Sequence, residues 1–213
     1  ENRTNIKFKD SPTQKISYTV VNKLEKVTHN HSMLSLDKTK DVEELYSKFG
    51  NKEWIAMAKM DGLTISLLYE NGSLVRAETR GDGSIGEDVT HNARIVSSIP
   101  KRIGIKDRKV IVDGEMICTY KDFEQFKDKY KNPRNFASGS IRLLDSKECS
   151  KRHLTFVAWD CISGVEAETL SEKLDKLAEL GFYIVPHGTS DPISCDGDYQ
   201  FAIDNIKKRS ELL

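Results

Sequence analysis

A lysine, a carboxylate and a glycine at fixed spacing form the group in this chain that is best suited to chemistry. Lys59, Asp61 and Gly62 make the pattern Lys-x-Asp-Gly. A lysine amine is a poor nucleophile until its surroundings lower its pKa, so the pattern is consistent with a lysine nucleophile that has a carboxylate two residues away. A solvated lysine in a polar turn has the same pattern, and the four residues alone favour that simpler interpretation.

The residues around Lys59 predict a strand, a turn at the lysine and a hairpin. Apolar and polar residues alternate along residues 63–69, which is the period of a half-buried strand. Asn71-Gly72 predicts a two-residue type I′ turn, because both residues tolerate positive φ, and residues 73–80 return as the partner strand. Arg80 then leads into the glycine-rich segment 81–86, whose backbone can approach a ligand closely.

Other local patterns predict the elements that surround this hairpin. We expect a helix over residues 86–96, a buried strand over 109–118 and a helix that begins at Thr119. Thr169 and Glu172 form a capping box for a later helix, which Gly181 ends. A short strand is expected at residues 183–186.

The composition excludes several classes of protein. With 33 basic and 33 acidic residues the net charge is zero, so the chain is not a strongly basic nucleic-acid module, and any DNA contact must use a local patch or other domains. The four cysteines form no Cys-x-x-Cys pair, which disfavours a zinc knuckle and favours reduced thiols in the cytoplasm, although four cysteines could also pair as disulfides. No apolar run is long enough to cross a bilayer.

Three motifs in order resemble the adenylation domain of NAD-dependent DNA ligases. The first is Lys-x-Asp-Gly at Lys59, which in that family carries the lysine that accepts AMP. The second is the run TRGDG followed by GEDVT, over residues 79–90. The third is NPRNFASGSIR at residues 132–142, which is similar to the family's NPRNxAAGSLR. Because the motifs are long and ordered, the resemblance is specific, and it covers the chain from about residue 10 to the end.

The resemblance implies a role for each matching residue. It makes Lys59 and Asp61 catalytic, and it assigns Arg134 and Arg142 to phosphate chemistry and DNA binding. We expect the guanidinium groups of these two arginines to lie in one region. The residues that it assigns to nucleotide binding are Ser35, Leu36, Gly62, Arg80, Glu115, Trp159 and Arg209.

Each of these assignments has a structural alternative. In the family the residue at Glu115 contacts the ribose and an aromatic residue at Trp159 covers the adenine ring, but Glu115 could instead pair with a lysine and Trp159 could be a core residue. Ser35 and Leu36 could form an ordinary turn with a core leucine. Arg134 and Arg142 could be surface arginines on a helix of small residues.

The sequence also departs from the family pattern. Met57 stands where the family has a glutamate that recognises adenine, and Asp113 replaces the arginine of the motif RGE. Ser32 stands where the family usually has proline. Met57 is the feature that favours a nucleotide-binding relative without catalysis.

The predicted fold class is α+β, with the nucleotidyltransferase fold of DNA ligases and mRNA-capping enzymes: antiparallel sheets flanked by helices, and a nucleotide cleft between them. The segment 81–86 also matches Gly-x-Gly-x-x-Gly, but it follows a hairpin strand and has no βαβ setting, so a Rossmann fold is disfavoured. We expect residues 1–30 to be a linker or remnant of an N-terminal domain that binds nicotinamide mononucleotide. Residues 31–213 would be an adenylation domain that is incomplete at its C-terminal end.

The function that the resemblance implies is that of a cytoplasmic, NAD-dependent DNA ligase. Lys59 would take AMP from NAD, with Mg²⁺ as a cofactor, for transfer to the 5′-phosphate of nicked duplex DNA. We expect the 213-residue chain to be a monomer and to be inactive in ligation by itself. An ATP-using ligase or capping-type enzyme shares Lys-x-Asp-Gly, and the runs at residues 79–90 and 132–142 disfavour it.

Overall fold

The computed structural model describes residues 21–33, 39, 41–49 and 52–190. The predictions for Ser35, Leu36 and Arg209 lie outside these residues. The helices are α1 (Val42–Phe49), α2 (Thr90–Ala93), α3 (Tyr120–Phe123), α4 (Pro133–Ile141), α5 (Ser146–Ser150) and α6 (Leu170–Glu179). The strands are β1 (Lys26–Thr28), β2 (Trp54–Met57), β3 (Leu63–Glu70), β4 (Ser73–Thr79), β5 (Ile85–Glu87), β6 (Lys109–Ile117), β7 (Thr155–Ser163) and β8 (His187–Ser190).

A four-stranded antiparallel sheet in the order β4-β3-β6-β7 is the centre of the fold. Its first hairpin turns at Asn71 and Gly72, which have φ values of 50° and 75°. Both values lie in the left-handed region that a type I′ turn requires, so the predicted hairpin is confirmed. The buried strand predicted over residues 109–118 is β6.

The core fills the space between this sheet and the helices beside it. Phe136 on α4 is fully buried, and the rings of Phe123, Phe126 and Tyr130 lie against it with centroids 5.9, 4.4 and 4.9 Å away. α4 therefore carries an aromatic cluster on its inner side. Because such a cluster buries a large apolar area, it fixes α4 against the segment over residues 123–130. α4 also packs against β6 and against β3, the strand that follows the Lys-x-Asp-Gly turn.

Two smaller antiparallel sheets, β2-β8 and β1-β5, lie beside the central one. The segment before β8 joins the central sheet to the β2-β8 sheet. The backbone N–H of Val185 donates to Ala158 of β7 at 2.8 Å, and the N–H of Ala58 donates to Pro186 at 2.9 Å. The predicted strand at residues 183–186 was therefore misplaced, because there only Ile184 forms a single bridge and the strand itself is His187–Ser190.

The helix predicted over residues 86–96 is mostly wrong. Residues 85–87 form β5, and the helix is confined to Thr90–Ala93. The backbone N–H groups of Glu87, Asp88 and Val89 bond to Thr79, Glu25 and Ala77, which belong to distant parts of the chain. Tertiary partners have therefore taken the donors of what would have been the first helical turn.

The α+β fold class is confirmed. The capping prediction also holds, because the hydroxyl of Thr169 accepts from the N–H of Glu172 at 3.2 Å, and Gly181 follows the helix with φ +95°. Cys118, Cys149 and Cys161 are free and buried. Within the described ranges, none of the helices is both long enough and apolar enough to span a membrane.

Candidate active site

Lys59 lies in the loop between β2 and β3 and is exposed. The hydrogen bond from Ala58 to Pro186 holds the loop on one side. Gly62 holds it on the other, because it is buried and a Cβ there would lie 2.1 Å from the carbonyl oxygen of Met116 in β6. Only glycine lets the chain pass this close to β6, so the third residue of the motif has a steric reason. The result is an exposed lysine in the turn between two strands, as predicted.

Glu115 on β6 faces the same loop. It pairs with Thr64 across the sheet, and the Thr64 hydroxyl donates to its Oε2 at 3.1 Å. Burial raises the pKa of the Glu115 carboxyl, and this effect exceeds the opposing influence of Thr64, of the Lys59 charge, of the Gly62 N–H and of the Arg134 charge. Glu115 is thus a partly desolvated carboxyl that lies close to both Lys59 and Arg134.

Arg134 reaches the lysine loop from the N-terminal end of α4. Its Nη1 lies 2.9 Å from Oδ1 of Asp61, although the two residues are 73 positions apart in the sequence. The side chain of Asn132 caps the helix by accepting from the N–H of Asn135, and Pro133 is the first helical residue, so the start of α4 is locally determined. The Asp61 and Arg134 side chains are 74% and 56% exposed, and an exposed pair of this kind contributes little to stability. Both groups are therefore available to a ligand.

Arg142 lies at the other end of α4, about 12 Å along the helix axis from Arg134. Its Nε is 2.9 Å from Oε2 of Glu87, and its Nη1 donates to the hydroxyl of Ser138 at 3.2 Å. The structure does not bring the two guanidinium groups together. Arg134 belongs with Lys59, whereas Arg142 lies beside β5.

Trp159 occupies a β-bulge in β7. Asp160 pairs with Asp113 and Ala158 pairs with Gly114, which leaves Trp159 as the extra residue between them. A bulge of this kind bends the strand and changes the direction of a side chain, and bulges are frequent next to active sites. Trp159 is half-buried and packs against the edge of the core. Trp159 directly follows Ala158, whose backbone bonds to the segment over residues 183–186. The same segment accepts the hydrogen bond from Ala58 that holds the Lys59 loop.

Arg80 begins a tight glycine-rich loop that connects β4 to β5. The Asp82 carboxylate accepts from the N–H groups of Ser84 and Ile85 at 2.9 and 2.8 Å, and these bonds lower the pKa of Asp82. Gly81 has φ +54°, and a Cβ there would lie 1.9 Å from the carbonyl oxygen of Ile85. A cavity of about 270 Å³ lies between the loop and the N-terminal segment, lined by Ser32, Met33, Arg80, Gly81, Asp82, Gly83 and Ser84.

Two histidines that were not predicted as site residues hold the N-terminal segment onto this site. His29 lies against Glu78 on β4, and His31 lies against Asp113 on β6. The Asp113 carboxylate is 2% exposed and lies 2.8 Å from Nε2 of His31, and burial raises the pKa of Asp113 although Ser66 and His31 lower it. Asp113, which stands where the family has an arginine, therefore has the imidazole of His31 as its hydrogen-bond partner. No local pattern predicts these two pairs, because Glu78 lies 49 positions from His29 and Asp113 lies 82 positions from His31.

The described part of the chain contains no group of three or more histidine, cysteine, aspartate or glutamate residues placed to hold a metal ion. The carboxylates nearest to Lys59 in the chain and across the sheet are Asp61 and Glu115. A magnesium ion commonly has one or two protein carboxylates and takes its other ligands from phosphates and water. The acidic groups around Lys59 fit that type of site, and they do not form a closed protein cage.

Comparison with known proteins identifies the family of this chain. The sequence model of the NAD-dependent DNA ligase adenylation domain matches residues 21–212. The DNA ligase of Lachnoclostridium phytofermentans is 45% identical over 195 residues, which cover 87% of this chain and 30% of that protein. The DNA ligases of Mycoplasma mycoides and Brachyspira hyodysenteriae are 43% and 36% identical, over 81% and 97% of this chain. The chain spans about 30% of the length of these relatives. It belongs to the NAD-dependent DNA ligase adenylation domain family.

Proposed function

We propose that Lys59 takes AMP from NAD and forms a covalent adenylate. The observation that carries the proposal is that groups from distant parts of the chain lie around one open loop. Arg134 pairs with Asp61 of the Lys59 loop, and the charges of Lys59 and Arg134 both act on the carboxyl of Glu115. A family match could persist in a chain that had lost its site. Here the nucleophile, the carboxyl and the cation come together although α4 is 73 residues from the lysine motif.

The proposed step forms one bond and breaks one. Nζ of Lys59, once it has lost a proton to water, attacks the phosphorus of the AMP half of NAD. The N–P bond forms as the P–O bond of the pyrophosphate breaks, and nicotinamide mononucleotide leaves with the phosphate oxygen and its negative charge. Charge grows on the phosphate oxygens during such a transfer, so Arg134 would stabilise it. Glu115 would accept from a ribose hydroxyl, and Trp159 would cover the adenine ring.

Mg²⁺ is the metal that we propose for this site. When bound, it would neutralise phosphate charge in the transition state. Asp61 and Glu115 are the carboxylates able to hold it together with the phosphates of the substrate. Asp61 is also the partner of Arg134, whose Nη1 lies 2.9 Å from Oδ1.

The reaction of the complete protein is also a proposal, because the chain covers only about 30% of its relatives. AMP would pass from Lys59 to the 5′-phosphate at a nick in duplex DNA, and the 3′-hydroxyl would then displace it. Arg142 would contact the DNA backbone, and four further residues would contact the nucleotide: Ser35, Leu36, Arg80 and Arg209. We further propose that the protein acts in the cytoplasm, that this chain is a monomer, and that residues 1–30 are distinct from an adenylation domain at 31–213.

A second candidate function is nucleotide binding without catalysis. Met57 favours it, because its thioether cannot replace a carboxylate that accepts from adenine, and it is half-buried on β2 beside the lysine loop. An ATP-using enzyme is a third candidate. The cofactor distinguishes it, since the ATP-using enzyme would release pyrophosphate rather than nicotinamide mononucleotide.

The test is mass spectrometry of a complete ligase that contains this chain, after incubation with NAD and Mg²⁺. We expect one AMP adduct, on Lys59, and none in Lys59→Arg. Lys101→Arg is the matched control, because Lys101 is also an exposed loop lysine but is remote in sequence from the site, and it should leave the adduct unchanged. An adduct on another lysine would contradict the assignment, and the absence of any adduct would favour the binding module.

Trp159 has its own test. Stacking on a base is worth about 1–3 kcal/mol, so Trp159→Ala should weaken adenine-nucleotide binding by that amount, and Trp159→Tyr should restore most of it. The measurement is calorimetric titration with AMP, with circular dichroism to confirm the fold. Unchanged affinity in folded Trp159→Ala would return Trp159 to a core-packing role.

A further inference from the structure

His29 is a buried histidine whose two ring nitrogens both face oxygen acceptors. Nδ1 lies 2.9 Å from Oε1 of Glu78, and Nε2 lies 2.9 Å from the backbone carbonyl oxygen of Arg80. The imidazole side chain is 1% exposed. A carbonyl oxygen can only accept, so Nε2 must carry a proton. Nδ1 must carry one as well if the carboxyl group of Glu78 is ionised.

The surroundings of Glu78 favour its ionised form. Nε of Arg76 lies 2.8 Å from the other carboxylate oxygen of Glu78, whose side chain is 4% exposed. A guanidinium is always charged, and its positive charge at this distance stabilises the buried Glu78 carboxylate as the anion. His29 is therefore a doubly protonated ring that donates at both ends.

The same segment holds the glycine-rich loop through its backbone. The N–H of His29 donates to the carbonyl of Ser84 at 2.9 Å, and the N–H of Met33 donates to Gly83 at 3.0 Å. At Gly86 a Cβ would lie 2.7 Å from Cε1 of the imidazole, so ring and loop are in direct contact. His29 thus joins β4, through Glu78, to both ends of the loop over residues 80–86.

We propose that His29 is a positioning residue that sets the conformation of the Arg80–Gly86 loop for nucleotide binding. The ring does not touch the substrate in this role. The ring donates a charge-assisted hydrogen bond from Nε2 to the backbone carbonyl of Arg80, while Nδ1 is held by Glu78. This bond fixes the backbone position from which the Arg80 side chain extends. The inference rests on the proposed function, in which Arg80 contacts the nucleotide of NAD.

The role predicts a defined pattern of effects in His29→Gln. A glutamine amide at this place donates but carries no charge, and it cannot span both acceptors as the ring does. Amide exchange of residues 81–86 should accelerate about tenfold, the change expected when one charge-assisted hydrogen bond is lost. In a complete ligase that contains the chain, KM for NAD should rise about tenfold, whereas kcat should change by less than about threefold.

Two other histidines provide comparisons. His31→Gln removes a histidine–carboxylate pair from the same segment, but its partner Asp113 is on β6, so exchange of residues 81–86 should stay as in the parent chain. His153→Asn alters an exposed histidine with φ 49°, a conformation that asparagine tolerates, and should change neither quantity. Loop exchange that accelerates equally in His29→Gln and His31→Gln would overturn the proposal, because both would then act only through the packing of the segment.

A measurement without any substitution tests the charge state. Long-range ¹H–¹⁵N spectra of the 213-residue chain at neutral pH should show both nitrogens of His29 protonated, and a neutral tautomer would overturn the proposal. This spectrum and the exchange rates need no NAD. They therefore separate a failure of the positioning role from a failure of Lys59 to accept AMP.

Discussion

Gly62→Ala should test the steric argument for the lysine loop most directly. A Cβ at this position would lie 2.1 Å from the carbonyl oxygen of Met116, about 1.3 Å short of the 3.4 Å at which ordinary contact begins. The obstacle is backbone in the interior of β6, and the Met116 side chain is fully buried, so neither side can relax by a rotamer change. The start of β3 must therefore move away from β6 by about 1 Å.

This displacement has two separate consequences. Overpacking of this kind costs about 1–3 kcal/mol of stability, which for a chain of this size lowers Tm by roughly 2–12 °C. The same shift moves Lys59 relative to Glu115, and a misplacement of about 1 Å can reduce a rate by about 100-fold. The rate should therefore fall much more than the folded fraction does at a temperature well below Tm.

The assay is the single-turnover rate of AMP adduct formation from NAD in a complete ligase that contains this chain, beside thermal unfolding of the same variants. Gly104→Ala is the matched control, because Gly104 is exposed and its Cβ would meet nothing within 4 Å. It should change stability by no more than about 0.5 kcal/mol and leave the rate intact. A rate for Gly62→Ala that stays within about threefold of the parent would refute the reasoning.

Three further predictions concern stability and reactivity. Phe136→Ala should destabilise the fold by about 3–5 kcal/mol in urea titrations, whereas Tyr120→Ala, at a side chain 85% exposed, should change it little. Burial raises the pKa of the Glu115 carboxyl above its usual value. The protonated carboxyl therefore favours the folded state at low pH, and this contribution to stability is lost as the pH rises through the raised pKa. Glu115→Gln should therefore raise Tm at neutral pH while it weakens NAD binding, and a lower Tm there would contradict this. Burial raises the pKa values of three thiols to about 11 or 12, so thiol reagents at mildly alkaline pH should label them only after unfolding: Cys118, Cys149 and Cys161.

Features set by neighbouring residues were predictable from the sequence. The Asn71-Gly72 hairpin depends on two backbone conformations that these residues adopt easily, and the N-cap at Thr169 depends on a hydroxyl three residues from its donor. The position of Lys59 between two strands followed from the same kind of signal. In each case the partner lies within a few residues, so no knowledge of the fold was needed.

Features that depend on competition between distant partners were not predictable. Residues 86–89 have a helix-compatible sequence, yet Thr79, Ala77 and Glu25 bind their N–H groups and leave only a short helix after them. The bulge at Trp159 and the separation of Arg134 from Arg142 likewise depend on strand register and on the packing of α4.

The sequence by itself determined which residues are chemically able to act, together with the family and the fold class. The tertiary structure alone decided how they meet: Arg134 beside Asp61, the Glu115 carboxyl within the influence of the Lys59 charge, and His29 between Glu78 and the glycine-rich loop. The physical reason is that local backbone preferences act over a few residues. Burial and hydrogen-bond satisfaction are settled between segments that lie about 50 to 70 positions apart.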